Sequence, residues 1–233
     1  MLMKIKTFLR RFGFDIVRYR SFWNTPPAQQ FATILDIGAN TGTFSAPMRE
    51  RFPRAQIYAF EPLPDCFKQL EYTMAGDKKF TAFNVALGER SGEATIQRSS
   101  FHPSSSLLPM SPLHKALYPK SAVHTPERIQ IQSLDEVRST IDLEKPLLIK
   151  IDVQGFEGSV IRGGKIAIAE ADVLIVETSF VQLYEGQPLF GDILTLVREL
   201  GFCYSGRIES HYDERTGQLI YEDSVFTKSP SAV

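Results

Sequence analysis

The sequence predicts an α/β fold: a mostly parallel sheet with helices on both faces and one inserted β-arm. Three observations carry that expectation. Short apolar runs alternate with amphipathic segments along the chain. One of these runs passes through a glycine-bearing turn, Gly38 to Gly42, into a helical pattern. A stretch rich in Ser, Pro and His interrupts the rhythm once, and alternating segments bracket it. Repeated strand–helix–strand units need crossover connections, and right-handed crossovers build a parallel sheet.

The elements follow in order. In residues 1–25, Leu2, Ile5, Phe8, Leu9 and Phe12 fall at helical spacing, with Lys4, Lys6, Arg10 and Arg11 between them. Such a basic amphipathic helix packs on the domain behind it or docks on a membrane surface or a partner. Pro26 and Pro27 break the chain, and residues 26–233 read as one domain. Within it, 33–37 is a buried strand, 43–51 a helix, 56–60 a strand, 64–74 a helix and 80–85 a strand. Residues 93–97 and 129–132 alternate, which suits an antiparallel arm. The insertion then spans about 92–132 and encloses a long loop, 99–127, with no period of its own. The α/β rhythm resumes with a strand at 147–151, a helix near 156–162 and a strand at 173–176. A helix at 190–200 and strands at 201–204 and 223–227 complete it.

Composition narrows the function. The chain has 233 residues, 43% hydrophobic and 23% charged, with a formal net charge of -1. That is enough apolar residue for a sizeable core, and no excess of positive charge points to nucleic acid as partner. Cys66 and Cys203 are far apart and read as free thiols of a reducing compartment. No apolar run reaches the ~20 residues of a membrane span, and no signal peptide is legible. The expected location is cytoplasmic.

The first chemical motif is Asp36 to Phe44. It follows an apolar strand and opens a helix. Gly38 and Gly42 permit a tight turn and close backbone approach to a ligand. Asn40 stands where a dinucleotide fingerprint carries its second glycine, which argues against an NAD(P)-dependent oxidoreductase. Asp36, at the strand's carboxyl end, suits a ligand amine. Glu61 ends the second strand beside Pro62, where an acid accepts both hydroxyls of a ribose. The same acid also suits a helix N-terminus. Asn84 and Val85 are placed to line a nucleobase pocket.

The second motif is Lys150 to Glu157. Asp152 ends a central strand, where open α/β sheets bind ligands. It is a candidate general base or a ligand for a divalent cation such as Mg²⁺. Glu157, in the first turn of the next helix, either binds substrate or answers the helix dipole. Glu177 ends the following strand as a third acid. The 99–127 loop holds Ser104, Ser105, Ser106, Tyr118, His102, His114 and His124. Ser105 and Ser106 are candidate substrate contacts. His102 or His124 is an alternative base, with Asp152 then its orienter. Deleting this loop is expected to spare the fold.

Together these residues resemble the FkbM methyltransferase family. The resemblance rests on Asp36 to Gly42, Glu61-Pro62, Asn84 to Gly88, Ser133-Leu134-Asp135 and Lys150 to Glu157, in that order. It implies a Rossmann-like class I methyltransferase fold with a seven-stranded sheet and S-adenosylmethionine as donor. It also implies O-methylation of a hydroxyl on a sugar, glycan or other small acceptor. Gln154 departs from the family, where Glu is commoner, so no charged role is assigned to it. A non-catalytic scaffold docking through its N-terminal helix is the remaining alternative.

Overall fold

The computed structural model describes residue 8, residues 22–25, residue 28 and residues 30–228. Most of the expected N-terminal helix, residues 1–25, lies outside the described residues. Within this N-terminal segment a 3-10 turn at Phe22–Asn24 is described. There Trp23 meets the rings of Phe44 and Phe52, and the Arg51 guanidinium lies 5.7 Å from the Trp23 ring centre.

The first half of the domain contains β1 (Thr33–Ile37), α1 (Ser45–Arg51), β2 (Gln56–Phe60), α2 (Pro64–Thr73), β3 (Phe80–Phe83), β4 (Ala86–Gly88) and β5 (Gly92–Ser99). Next come α3 (Pro112–Leu117), β6 (His124–Ser133), α4 (Leu134–Arg138) and β7 (Leu147–Ile151). The chain closes with α5 (Glu157–Gly163), α6 (Lys165–Glu170), β8 (Val173–Ser179), α7 (Phe190–Glu199), β9 (Phe202–Tyr212) and β10 (Leu219–Lys228). The main sheet has seven strands in the order β3-β2-β1-β7-β8-β10-β9. Its strands run parallel through β8, and β10 lies antiparallel to both β8 and β9. A smaller sheet is ordered β4-β6-β5. The fold is Rossmann-like, with the expected seven strands.

The two-residue period of a strand divides the core between two faces. Leu35, Ile37, Ile149, Ile151 and Val176 pack with Val160, Ile168 and Val197 of α5, α6 and α7. Ile34, Leu148, Val173 and Ile175 pack on the other side with Met48 of α1 and Leu70 of α2. Strands covered on both faces have no polar side to show, so β1, β7 and β8 read as near-continuous apolar runs. Two residues on the second face break the rule. Asp36 and Lys150 are register partners across β1 and β7, and both are buried. Each charge lies beside its opposite, which makes burial tolerable.

The strand bounds at 33–37, 56–60 and 147–151 agree with the sequence reading. The first helix starts later than 43. Gly38, Asn40 and Gly42 hold φ values of 85°, 49° and 94°, so the chain cannot turn helical until it leaves them. The third strand stops at Phe83 because the Asn84 amide donates back to the carbonyls of Glu61 and Pro62. The chain bends there and re-forms as β4, three residues that show no period.

The arm pairs antiparallel as expected, from Gly92↔Ile131 to Ser99↔His124. The stretch between its strands is not a structureless loop. It holds 3-10 turns at His102–Ser104 and Pro119–Ser121 and the short helix α3. Each begins at or next to a proline and is too short to register as periodic. Met110, His114 and Ser121 are buried. Met110 packs with Leu183, Tyr184 and Ile220, which ties the insertion to the segment after β8 and to β10. These contacts argue against the expectation that the loop can be deleted without cost to the fold.

Candidate active site

Gly38 places the turn after β1 against the end of β7. A Cβ on Gly38 would lie 1.9 Å from the Asp152 carbonyl oxygen, and the Asp152 N–H donates to Ile37 O at 3.0 Å. The close approach read from sequence therefore joins the two motifs to each other. Gly42 faces Leu70 and Thr73 of α2 and lies behind the site.

Asp36 also lies behind it, fully buried, and accepts from Ser45 Oγ at 2.6 Å. Burial raises its pKa, while Lys150 and the Ser45 hydroxyl pull it back. Its Oδ1 has no partner among the described residues. Glu61 stands at the cavity wall. Its Oε2 accepts from Asn40 N–H at 2.9 Å and its Oε1 from Leu63 N–H at 2.8 Å. Burial pushes its pKa up to about 7 against those two hydrogen bonds.

A cavity of about 150 Å³ opens beside these turns. Gly38, Asn40, Glu61, Val85, Asp152 and Gln154 line it, with Phe60, Leu87 and Ile96 as apolar wall. The insertion closes it with His102, Pro103, Ser105 and Ser106. The two serines thus stand at the first cavity. Ser105 Oγ accepts from Ser99 N–H at 3.0 Å, and Ser106 Oγ donates to Gln154 O at 2.6 Å. His102 faces Cys66 Sγ at 3.3 Å from its Nδ1. Asn84 fixes the chain behind Glu61 and is absent from the lining.

A second cavity, about 340 Å³, adjoins the first and shares Pro103, Asp152 and Gln154 with it. Glu177, His114 and Tyr118 line it, and the β9–β10 hairpin adds Glu209, His211, Tyr221 and Asp223. The hairpin residues were not legible as site residues. They lie on strands far in sequence from both motifs, and only the pairing of β10 with β8 brings them to the sheet's carboxyl edge.

Between the cavities lies a charged network. Lys150 Nζ donates to Asp152 Oδ2 at 2.8 Å. Gln154 Nε2 donates to Asp152 Oδ1 at 2.9 Å and to Glu177 Oε2 at 3.0 Å, while its Oε1 accepts from Tyr184 OH at 3.0 Å. Gln154 holds a left-handed φ of 55°. An acid there would set a third carboxylate between two others, whereas the amide supplies both with a hydrogen. Burial disfavours the charged form of Asp152, but Lys150 and the two hydrogen bonds outweigh it and hold its pKa below the ordinary value. Burial and the neighbouring acids, Asp152 first, drive Glu177 well above its ordinary range. Asp223, the cross-strand partner of Glu177, is raised to about 6, chiefly by burial.

Besides Asp36, Gly42 and Asn84, which line neither cavity, two further sequence expectations part from the geometry. Glu157 lines neither cavity. It is 1% exposed and its Oε1 accepts from Val153 and Gly155 N–H, both at 3.0 Å, so it fixes the turn after β7. His124 is exposed at the start of β6 and also lines neither cavity. The strand period turns it outward from the arm. A divalent cation at Asp152 does not fit, because a lysine and an amide already donate to its two oxygens. The three potential ligands that do lie within 4.8 Å of one another among the described residues are Asp65, Cys66 and His102.

The methyltransferase FkbM domain matches residues 36–204. The chain belongs to this family. It is 32% identical over 175 residues to the 2-O-methyltransferase NoeI of Sinorhizobium fredii, covering 70% of each chain. It is 26% identical to the methyltransferase sdnD of Sordaria araneosa, covering 72% of this chain and 73% of that one. It is 29% identical to the hexuronic acid methyltransferase AglP of Haloferax volcanii, covering 64% of this chain and 57% of that one. The matched FkbM region carries both turn motifs and Glu61. The hairpin wall, Glu209 to Asp223, lies beyond it. No helix among the described residues is long and apolar enough to cross a membrane.

Proposed function

We propose that this methyltransferase uses S-adenosylmethionine to methylate a hydroxyl oxygen of a sugar. The observation that carries the reading is the pair of cavities that meet at Asp152 and Gln154. The first suits the donor. Glu61 keeps a free lone pair on each oxygen for ribose hydroxyls, and Val85, Leu87 and Ile96 offer an apolar slot for the base. The second cavity suits a hydroxylated acceptor. The names of NoeI and AglP, one a 2-O-methyltransferase and one a hexuronic acid methyltransferase, support a sugar.

The donor supplies an electrophilic methyl on a sulfonium. As the acceptor oxygen forms its bond to that carbon, the carbon–sulfur bond breaks and the hydroxyl proton must leave. Asp152 is a poor proton acceptor, because Lys150 stabilises its ionised form. Asp223, raised to about 6 by burial, receives the proton instead, since a base works best with a pKa near the working pH. Asp152 orients the acceptor and offsets the sulfonium charge.

The test is Asp152→Asn. S-adenosylmethionine affinity should stay within a few-fold while turnover on the acceptor falls by about 10²–10³, the scale for losing one orienting or charge-stabilising group. Unchanged turnover in a labelled-methyl assay would remove Asp152 from the reacting centre.

A further inference from the structure

On the sugar reading above, we infer that the second cavity selects its acceptor by charge: it takes a neutral or amine-bearing sugar and rejects one that carries a carboxylate. Asp152, Glu177, Glu209, Glu222 and Asp223 line this cavity, and neither lysine nor arginine does. The cations nearby are already engaged. Lys150 is buried and bonded to Asp152. Arg207 Nη1 stands 3.9 Å from Glu222 Oε2. A sugar carboxylate entering here loses its water and meets a wall of acids with no lysine or arginine to pair with it, in surroundings where charges act more strongly than in water.

The rest of the lining is what a pyranose needs. His211 stacks on Tyr221 with ring centres 4.9 Å apart, and Tyr118 tilts against His211 at 5.9 Å. Aromatic faces accept the C–H side of a sugar ring and attract an ammonium. His114 lines the cavity, is 2% exposed, and its Nδ1 has no partner among the described residues. Ser210 Oγ, also in the lining residues, is likewise without one. Several of these residues sit on the hairpin beyond the family match at 36–204.

The experiment is calorimetry at pH 8 on the protein saturated with S-adenosylhomocysteine. The probes are methyl glucoside, methyl glucosaminide and methyl glucuronide, and the same set in the galacto series. The glucuronide should bind at least tenfold more weakly than the glucoside, and the glucosaminide at least as tightly as the glucoside. Glu209→Lys, a change at an exposed rim position, should narrow the glucoside-to-glucuronide gap at least fivefold. A glucuronide that binds as tightly as the glucoside overturns the inference, as does a gap unmoved by Glu209→Lys. If no sugar binds while a non-sugar alcohol is methylated, the sugar reading fails. Charge selection is then decided by neutral and carboxylate-bearing forms of that alcohol, and equal binding overturns it.

Discussion

At the scale of single residues, the environment of each carboxylate separates acids that look alike in sequence. Glu61 is buried at a cavity wall with a backbone N–H on each oxygen. Glu61→Ala should weaken S-adenosylhomocysteine binding by ~1–3 kcal/mol, the usual scale for hydrogen bonds to a charged group. Calorimetry showing equal affinity would remove it from the donor site. Asp223 is raised to about 6 by burial first, with Lys150 opposing. A base must be deprotonated to act, so turnover should climb as pH rises through about 6 and fall below it. Asp223→Asn should lower turnover by about 10²-fold or more and abolish that limb in a pH–rate profile. A limb that survives unchanged in the variant would assign it to another group. Asp152 and Glu61 were legible because each ends an apolar strand. Asp223 was not, because its role depends on lying opposite Glu177 across two antiparallel strands.

At the scale of elements, the insertion behaves as a packed wall. Met110 is 3% exposed and sits in a small core with Leu183, Tyr184 and Ile220. Met110→Ala should cost about 2–5 kcal/mol, the range for emptying a buried site of that size. Replacing residues 101–124 with a Gly/Ser linker should lower the thermal midpoint as well as remove methyl transfer. A midpoint unchanged in either variant would restore the insertion as a dispensable lid. The short pieces of this wall escaped sequence reading because no helix or 3-10 turn in it exceeds six residues. Periodicity needs longer windows to speak. By contrast, the Leu134–Asp135 motif was legible, and its purpose became clear only in the fold. Asp135 accepts from Ile166 and Ala167 N–H and so anchors the start of α6.

At the scale of the whole molecule, buried acids make stability depend on pH. Glu157 is raised from 4.5 to about 7, mainly by burial. Glu61 is raised likewise. Between those values the folded chain keeps protons that the unfolded chain has released. The stability they contribute is whole below about 4.5 and is lost as pH rises through about 7. His114, lowered by burial, acts in the opposite sense below its ordinary 6.5. Comparing Glu157→Gln with the parent cancels the histidine. In urea unfolding, the variant's advantage should grow by about 1–3 kcal/mol between pH 5 and pH 7. A constant difference across that range would mean that Glu157 is ionised throughout.

The sequence alone determined the strand–helix alternation on either side of the insertion, the carboxyl-end positions of Asp36, Glu61 and Asp152, and the family. These follow from local pattern: apolar runs long enough to be buried on both faces, and turns that only certain residues permit. The tertiary structure decided which of those residues line a cavity. It set Asp36, Gly42 and Glu157 behind the site and brought the β9–β10 hairpin beside Glu177. It also made Gly38 a contact between two turns. The reason is that a strand's period says which residues share a face, while the pairing of strands distant in sequence decides what that face meets.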